Sequence, residues 1–398
     1  RRTVRGDSGE YPLYAVDSSG RATHLATLSA VAPSGAWMAL TETDWPLIEE
    51  AREGWWDGLP YPLYDMRPQG YLGRQLARAI QRELGTPDNP DFWNDDDILF
   101  ALSRVGSDTV GNLILGDTAC ERWQRERLSA LEPLGEASTA VAYADLAEQA
   151  LAAGVAGSSA AGEFPKFPAL RDLAGRPTPH VLVKFSGADD SPAVRRWADL
   201  LVCEHLALEG ARALPGVASA YSRVLSHAGR TFLEVERFDR HGPFGRSPLI
   251  SLETVNAALL GLDAHEWTRL ADGLVATHLL ETEDAARIHH LWWYGRLIAN
   301  TDMHLGNLSF EPIAGHLRPA PAYDMLPMRH APLAGGELPA SEWTPSLPLP
   351  RERETWLAAC QAALTFWERM ATDSRISAGF RELGSRHGHA LRDLAERV

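Results

Sequence analysis

The run Val181-Leu-Val-Lys-Phe185 places one cation in a stretch otherwise built for burial as a β-strand. An ammonium group taken out of water without a counter-charge is costly, so a fold that buries this strand must bring a carboxylate to Lys184. Glu204 is the candidate: it stands in the helical run Val194–Leu208, beside Leu200-Leu-Val-Cys203 and close to Leu206. A strand lysine gripped by a helix glutamate suits a kinase-type enzyme, in which the lysine holds the α- and β-phosphates of a nucleotide. The plainer alternative is an edge strand from which Lys184 extends into water.

The rest of the 398-residue chain sorts by periodicity into three blocks. Tyr11–Val16 and Thr23–Leu28 read as a hairpin around Asp17-Ser-Ser-Gly20, with Gly20 supplying a positive φ. Helical spacing follows at Asp44–Trp56, Tyr71–Leu84 and Asp95–Arg104, and this unit ends near Ile114-Leu-Gly116. The second block opens with a helical run, Ala140–Ala153. The small-residue segment Gly154–Gly162 follows, then the strands His180–Phe185, Ser219–Leu225 and Thr231–Phe238. Beyond residue 250 the period is helical, clearest at Leu252–Leu260, His265–Leu280, Ala285–Ile298, Arg351–Ala371 and Ile376–Arg397. The expected division is an N-terminal α+β subdomain over 1–120, a β-rich region over 121–245 and a helical region over 246–398.

A formal net charge of −15 repels a phosphate backbone, so no direct nucleic-acid binding is expected of this chain. Cys120, Cys203 and Cys360 are too far apart in sequence for a disulfide framework or a C-x-x-C knuckle, which fits a reducing, cytoplasmic setting. No apolar stretch approaches the ~18 residues of a spanning helix and no basic-then-apolar leader opens the chain, so neither a membrane nor secretion is expected. Arg1 in first place reads as a start partway into a longer protein.

The densest chemistry lies in Ile298-Ala-Asn-Thr-Asp-Met-His-Leu-Gly-Asn-Leu-Ser-Phe310, which packs Asp302, His304 and Asn307 into six positions. Downstream, Ala322-Tyr-Asp-Met-Leu326 sets the single carboxylate of Asp324 among apolar residues. Phosphoryl transfer wants this pattern: an Asp to orient and deprotonate a hydroxyl, an Asn five positions on to hold Mg²⁺, and a later Asp to chelate the metal across the phosphates. A solvated Asp/Asn turn would account for the first segment but not for the second. Gly157 and Gly162 have the spacing of a P-loop, yet Glu163-Phe164 stand where Lys-Ser/Thr is required, so a Walker A reading fails. A phosphate-covering loop and an ordinary linker both remain open for that segment.

As a set these segments resemble the HipA-like serine/threonine kinases, toxin components of bacterial toxin–antitoxin pairs, over nearly the whole chain. Asn300-Thr-Asp-Met-His-Leu-Gly-Asn307 is similar to the family's catalytic loop and Tyr323-Asp324 to its metal-binding segment. Val235-Glu-Arg-Phe-Asp-Arg240 resembles the hinge, whose backbone near Glu236 and Phe238 would hold adenine. Gly157-Ser-Ser-Ala-Ala-Gly-Glu-Phe-Pro-Lys166 resembles the phosphate-covering loop, which implies autophosphorylation at Ser159 or the adjacent Ser158. Ala161 and Phe164 depart from the Gly and Gln of close relatives. Tyr64-Asp-Met-Arg-Pro-Gln-Gly70 is similar to the opening subdomain of one branch, some members of which carry a helix-turn-helix further upstream.

The resemblance implies an α+β chain with a two-lobed protein-kinase-like fold, an added N-terminal α+β subdomain and an all-helical C-terminal lobe. It implies ATP and Mg²⁺ as cofactors, Asp302 as the catalytic residue, and Asn307 and Asp324 as metal ligands. Lys184, Glu204, Glu236, Phe238, His304, Ser158 and Ser159 are then the nucleotide-site residues, with His304 bracing the loop. The implied substrate is a protein of translation, such as an aminoacyl-tRNA synthetase, and the implied partner an antitoxin. Two rivals stand beside this reading: a small-molecule phosphotransferase on the same fold, and a non-catalytic regulator that binds nucleotide or DNA.

Overall fold

The computed structural model describes residues 1–41, 43–129, 132–153 and 163–398. In the N-terminal unit, β1 (Glu10–Val16), β2 (Ala22–Val31), β3 (Gly35–Trp37), β4 (Trp55–Trp56) and β5 (Leu113–Leu115) form an antiparallel sheet in the order β4-β3-β2-β1-β5. The β1–β2 turn is the one expected: Gly20 has φ 81°, and Asp17 Oδ1 accepts the amides of Ser19 and Arg21 at 2.9 and 3.0 Å. Leu13, Leu28 and Ala30 are fully buried in the same core as residues of the helices Gly70–Leu84 and Asp95–Val105. Asn94 and Asp97 close a capping box at the start of the second helix.

The helix expected over Asp44–Trp56 is corrected to one turn, Glu49–Arg52. Pro46 and Gly54, the latter at φ 90°, bracket it, and Trp55 and Trp56 leave to pair with Trp37 and Ala36. Asp44 caps nothing here; its carboxylate accepts the amide of Ala314, 270 residues away, at 2.9 Å.

The second unit is a four-stranded antiparallel sheet, β6 (Lys166–Leu170), β7 (His180–Phe185), β8 (Ser222–His227) and β9 (Arg230–Glu236), in the order β6-β7-β9-β8. Strand pleating sends alternate residues to opposite faces. On one face Phe167, Val181, Val183, Phe185 and Phe232 pack against Tyr143 and Ala147 of the helix Glu136–Ala152. Lys184 lies on the other face, toward the helix Pro192–Ala211, whose start is capped by Ser191 Oγ on the amide of Val194.

A buried ion network holds the first face. Arg171, fully buried, donates to Glu234 at 2.7 Å and to Glu236 at 2.8 Å. Glu234 also accepts from Tyr143 and Arg223, each at 2.8 Å. Removing one partner of such a network strands the others in low dielectric. Glu234→Ala should therefore cost about 3–5 kcal/mol in urea unfolding, and Glu234→Gln clearly less.

The third unit contains the helices Trp267–Ala276, Thr282–Leu297, Arg353–Thr372 and Ala378–Ala395. It is not all-helical: Ile250–Ser251, Ser309–Ile313 and His316–Pro319 form a three-stranded antiparallel sheet. The reason is local, since Ala314 and Gly315 both take positive φ (49° and 79°) and turn the chain back on itself. Trp356 and Trp367 are fully buried, and Trp367 Nε1 donates to the carbonyl of Leu297 at the end of the helix that leads into the polar segment. No described helix is long and apolar enough to cross a membrane.

Candidate active site

Lys184 is buried and donates to both oxygens of Glu204, at 2.8 and 2.9 Å. The same ammonium meets Asp324 Oδ1, so one cation ties the β-sheet, the Pro192–Ala211 helix and the segment that follows the polar loop Asn300–Asn307. Desolvation alone would favour the neutral amine. Asp324 and then Glu204 outweigh it and raise the Lys184 pKa. Burial pushes the Glu204 carboxyl up to about 7 against the pull of Lys184. At Asp324 burial also acts upward, but Lys184 and Lys166 prevail and lower it.

The polar segment begins where the Thr282–Leu297 helix ends. Ala299 and Asp324 both adopt left-handed backbone (φ 59° and 52°), an arrangement costing of order 1–3 kcal/mol per residue that persists only where the surroundings enforce it. Asn300 is one such constraint: its Oδ1 accepts the amide of Asp302 at 3.1 Å, and its Nδ2 donates to the carbonyl of Asp324 at 3.4 Å. Asn307 Nδ2 donates to the carbonyl of Asp302 at 2.8 Å, which leaves Asn307 Oδ1 as the hard acceptor for a cation. His304 braces the loop as expected, its Nδ1 accepting the amide of Gly306 and its carbonyl accepting Trp267 Nε1.

Asp302 is exposed to solvent. Partial loss of hydration raises its pKa, His304 and Lys184 oppose the rise, and Asp324 adds to it. The rings of Phe238 and Tyr323 lie 5.7 Å apart at 34°. Tyr323 is pinned by donating to the carbonyl of Gly306 and by a hydrogen bond with Ser309 Oγ, both at 2.7 Å. The two rings form an aromatic shelf, one member of which precedes Asp324 in the chain.

The cleft thus gathers Asp302, His304, Asn307, Asp324, Lys184 and Glu204, with Phe238 at its edge. Glu236 is corrected: its carboxylate is committed to Arg171 and Arg176 on the opposite face of the sheet, and its amide donates to the carbonyl of Tyr221 at 2.8 Å, so neither is free to hold a ligand. Ser158 and Ser159 lie outside the described residues.

A HipA-like C-terminal domain model matches residues 158–385, more than half of the chain. This chain belongs to the HipA-like toxin family. A YjjJ-like toxin middle-domain model matches residues 7–124. Toxin YjjJ of Escherichia coli (strain K12) is 35% identical over 388 residues, which is 97% of this chain and 85% of that protein. HipA from the Shewanella oneidensis MR-1 complex of HipA, HipB and operator DNA superposes with a TM-score of 0.58 at 15% identity, covering 97% of each chain. The fold is accordingly the two-lobed, kinase-like fold of HipA, the N-terminal α+β unit included in the match.

The HipA-like cleft holds residues that pattern reading passed over. Lys166 lies directly opposite Lys184 in the β6–β7 register, on the same face of the sheet, and its charge reaches Asp324 and Glu204. A compositional signal was present: of 38 basic residues only these two are lysines. Everywhere else the chain uses arginine, and it sets its two compact, mobile ammonium groups side by side at the cleft. Tyr323 and Asn300 stood inside the quoted motifs but carried no role there, because a shelf and a brace exist only once the loops have met.

Proposed function

We propose that this HipA-like protein is an ATP- and Mg²⁺-dependent serine/threonine protein kinase. The observation that carries the reading is the sharing of buried Lys184 between Glu204 and Asp324, next to Asp302 and Asn307. Lys184 and Lys166 would neutralise nucleotide phosphates, and the Phe238–Tyr323 shelf would take the base. Asp302 would accept the proton of the acceptor hydroxyl as it attacks the γ-phosphate. Asn307 Oδ1 and the Asp324 carboxylate fit Mg²⁺, a hard ion content with few protein oxygens alongside phosphate and water. Bound there, the ion supplies charge neutralisation across the phosphates.

The proposed substrate is a protein of the translation machinery, such as an aminoacyl-tRNA synthetase, with self-modification at Ser158 or Ser159. A neutralising antitoxin is the proposed partner, a role supported by the HipB that accompanies HipA in the Shewanella complex. A cytoplasmic setting goes with both. Incubation with labelled ATP, Mg²⁺ and a cell lysate tests the reading. A labelled protein band supports it, label on a metabolite would shift it to small-molecule transfer, and absence of transfer would overturn it. Within the site, Lys184→Met and Glu204→Gln should couple by ~1 kcal/mol or more in a double-mutant cycle on ATP affinity. Additive losses would separate the pair.

A further inference from the structure

The segment Tyr64–Gly70 spans the two lobes, and its two ends are fixed in different ones. At one end Asp65 accepts the amide and hydroxyl of Ser251, at 2.7 and 2.8 Å, and the hydroxyl of Thr254 at 3.0 Å, all in the C-terminal lobe. At the other end the helix Gly70–Leu84 receives Glu163, three residues before the start of β6. Glu163 Oε1 accepts the amide of Tyr71 at 2.9 Å, and Oε2 accepts Arg74 Nη2 at 3.0 Å. Gly70 is at φ 61°, and a methyl group there would stand 2.8 Å from Glu163 Oε1. Glycine therefore suits this backbone, and a larger residue here would push the Glu163 carboxylate away from its present position.

An interdomain contact of ordinary kind would end at Glu163. This one continues, because Glu163 Oε1 also binds Lys166 Nζ at 3.0 Å, and Lys166 stands across from Lys184. Two like charges directly opposite on a sheet face repel. Lys166 thus needs a holder that fixes its direction, and the holder is itself fixed by the N-terminal unit.

We propose that Glu163 and Arg74 are positioning residues through which the N-terminal unit aims Lys166 at the nucleotide phosphates. The inference rests on the kinase reading above and adds to it a role for a unit that contributes no residue to the chemistry. Arg74 and the Tyr71 amide hold the carboxylate, the carboxylate holds the ammonium near the cleft, and nucleotide phosphate competes for that ammonium without having to order it.

The lysine composition makes this testable by a route independent of turnover. An acyl phosphate of ATP transfers its acyl group to a lysine amine close to the bound phosphates, and with two lysines in the chain the acylated peptides are read unambiguously by mass spectrometry. In the parent protein both Lys184 and Lys166 should be acylated. Arg74→Met and Gly70→Ala should each lower acylation of Lys166 relative to Lys184 and raise the KM for ATP about tenfold, the worth of one charge-assisted hydrogen bond, with a smaller change in kcat. Arg74→Lys should recover part of both. Unchanged acylation ratio and KM in both variants would overturn the clasp. So would equal losses at the two lysines with a lowered Tm, which would mark a general loosening. Failure to acylate Lys184 in the parent would overturn the nucleotide reading and this inference with it.

Discussion

Asp302→Asn should cut phosphoryl transfer by ~10²–10⁴-fold, the usual worth of a positioned acid–base group, while ATP affinity stays near that of the parent. The split follows from placement. Asp302 is exposed, where a protein hydroxyl can reach it, whereas the cations that would meet phosphate, Lys184 and Lys166, come from the opposite lobe. Asn keeps the size of the side chain and the backbone bonds to Asn300 and Asn307, so the loop should hold its shape. The same residue should set the acid limb of the pH profile. Its carboxyl is shifted upward by lost hydration and by Asp324, and a base must be ionised to work. Activity should therefore begin to fall on acidification above the usual aspartate range. Single-turnover rates and nucleotide titrations across pH check both points; an Asn variant with parental turnover would remove Asp302 from the chemistry.

Asp324→Ala should act on the metal. Its loss should weaken Mg²⁺-dependent ATP binding by at least the ~10–100-fold that even an outer-shell partner commands, and should change binding with EDTA present far less. Asp324 also touches Lys184, so the comparison needs Asp324→Asn, which keeps a hydrogen-bond acceptor beside the ammonium but gives up the negative charge. Equal losses with and without Mg²⁺ in both variants would make Asp324 a structural counter-ion to Lys184 and nothing more. The left-handed backbone at Asp324 bears on the choice of variant, because Asn tolerates φ 52° better than Ala does. Loss of fold is therefore best judged on the Asn protein.

Much of this was legible from residues alone because burial makes local demands. A lone lysine in Val181–Phe185 had to find a carboxylate, and the one offered by the following helix is the one it bonds. Asp302 and Asn307 were visible as a spacing, and the fold ties them together through the Asn307 amide on the Asp302 carbonyl. Strand alternation and helical period marked most elements to within a few residues. They failed where two aromatic residues, Trp55 and Trp56, could serve either period and a sheet edge claimed them.

What the sequence determined by itself, then, is set by short-range physics: the pattern of burial, the turns, and the need of an isolated charge for a partner. The tertiary structure decided everything that depends on which distant segments meet. It seated Lys166 opposite Lys184, sent the Glu236 carboxylate to the far face of the sheet to pair with Arg171, and joined Phe238 to Tyr323. It also carried Glu163 to the start of a helix 92 positions earlier in the chain. Those pairings have no period and no spacing, because the free energy that selects them is released only when the chain has closed around the cleft.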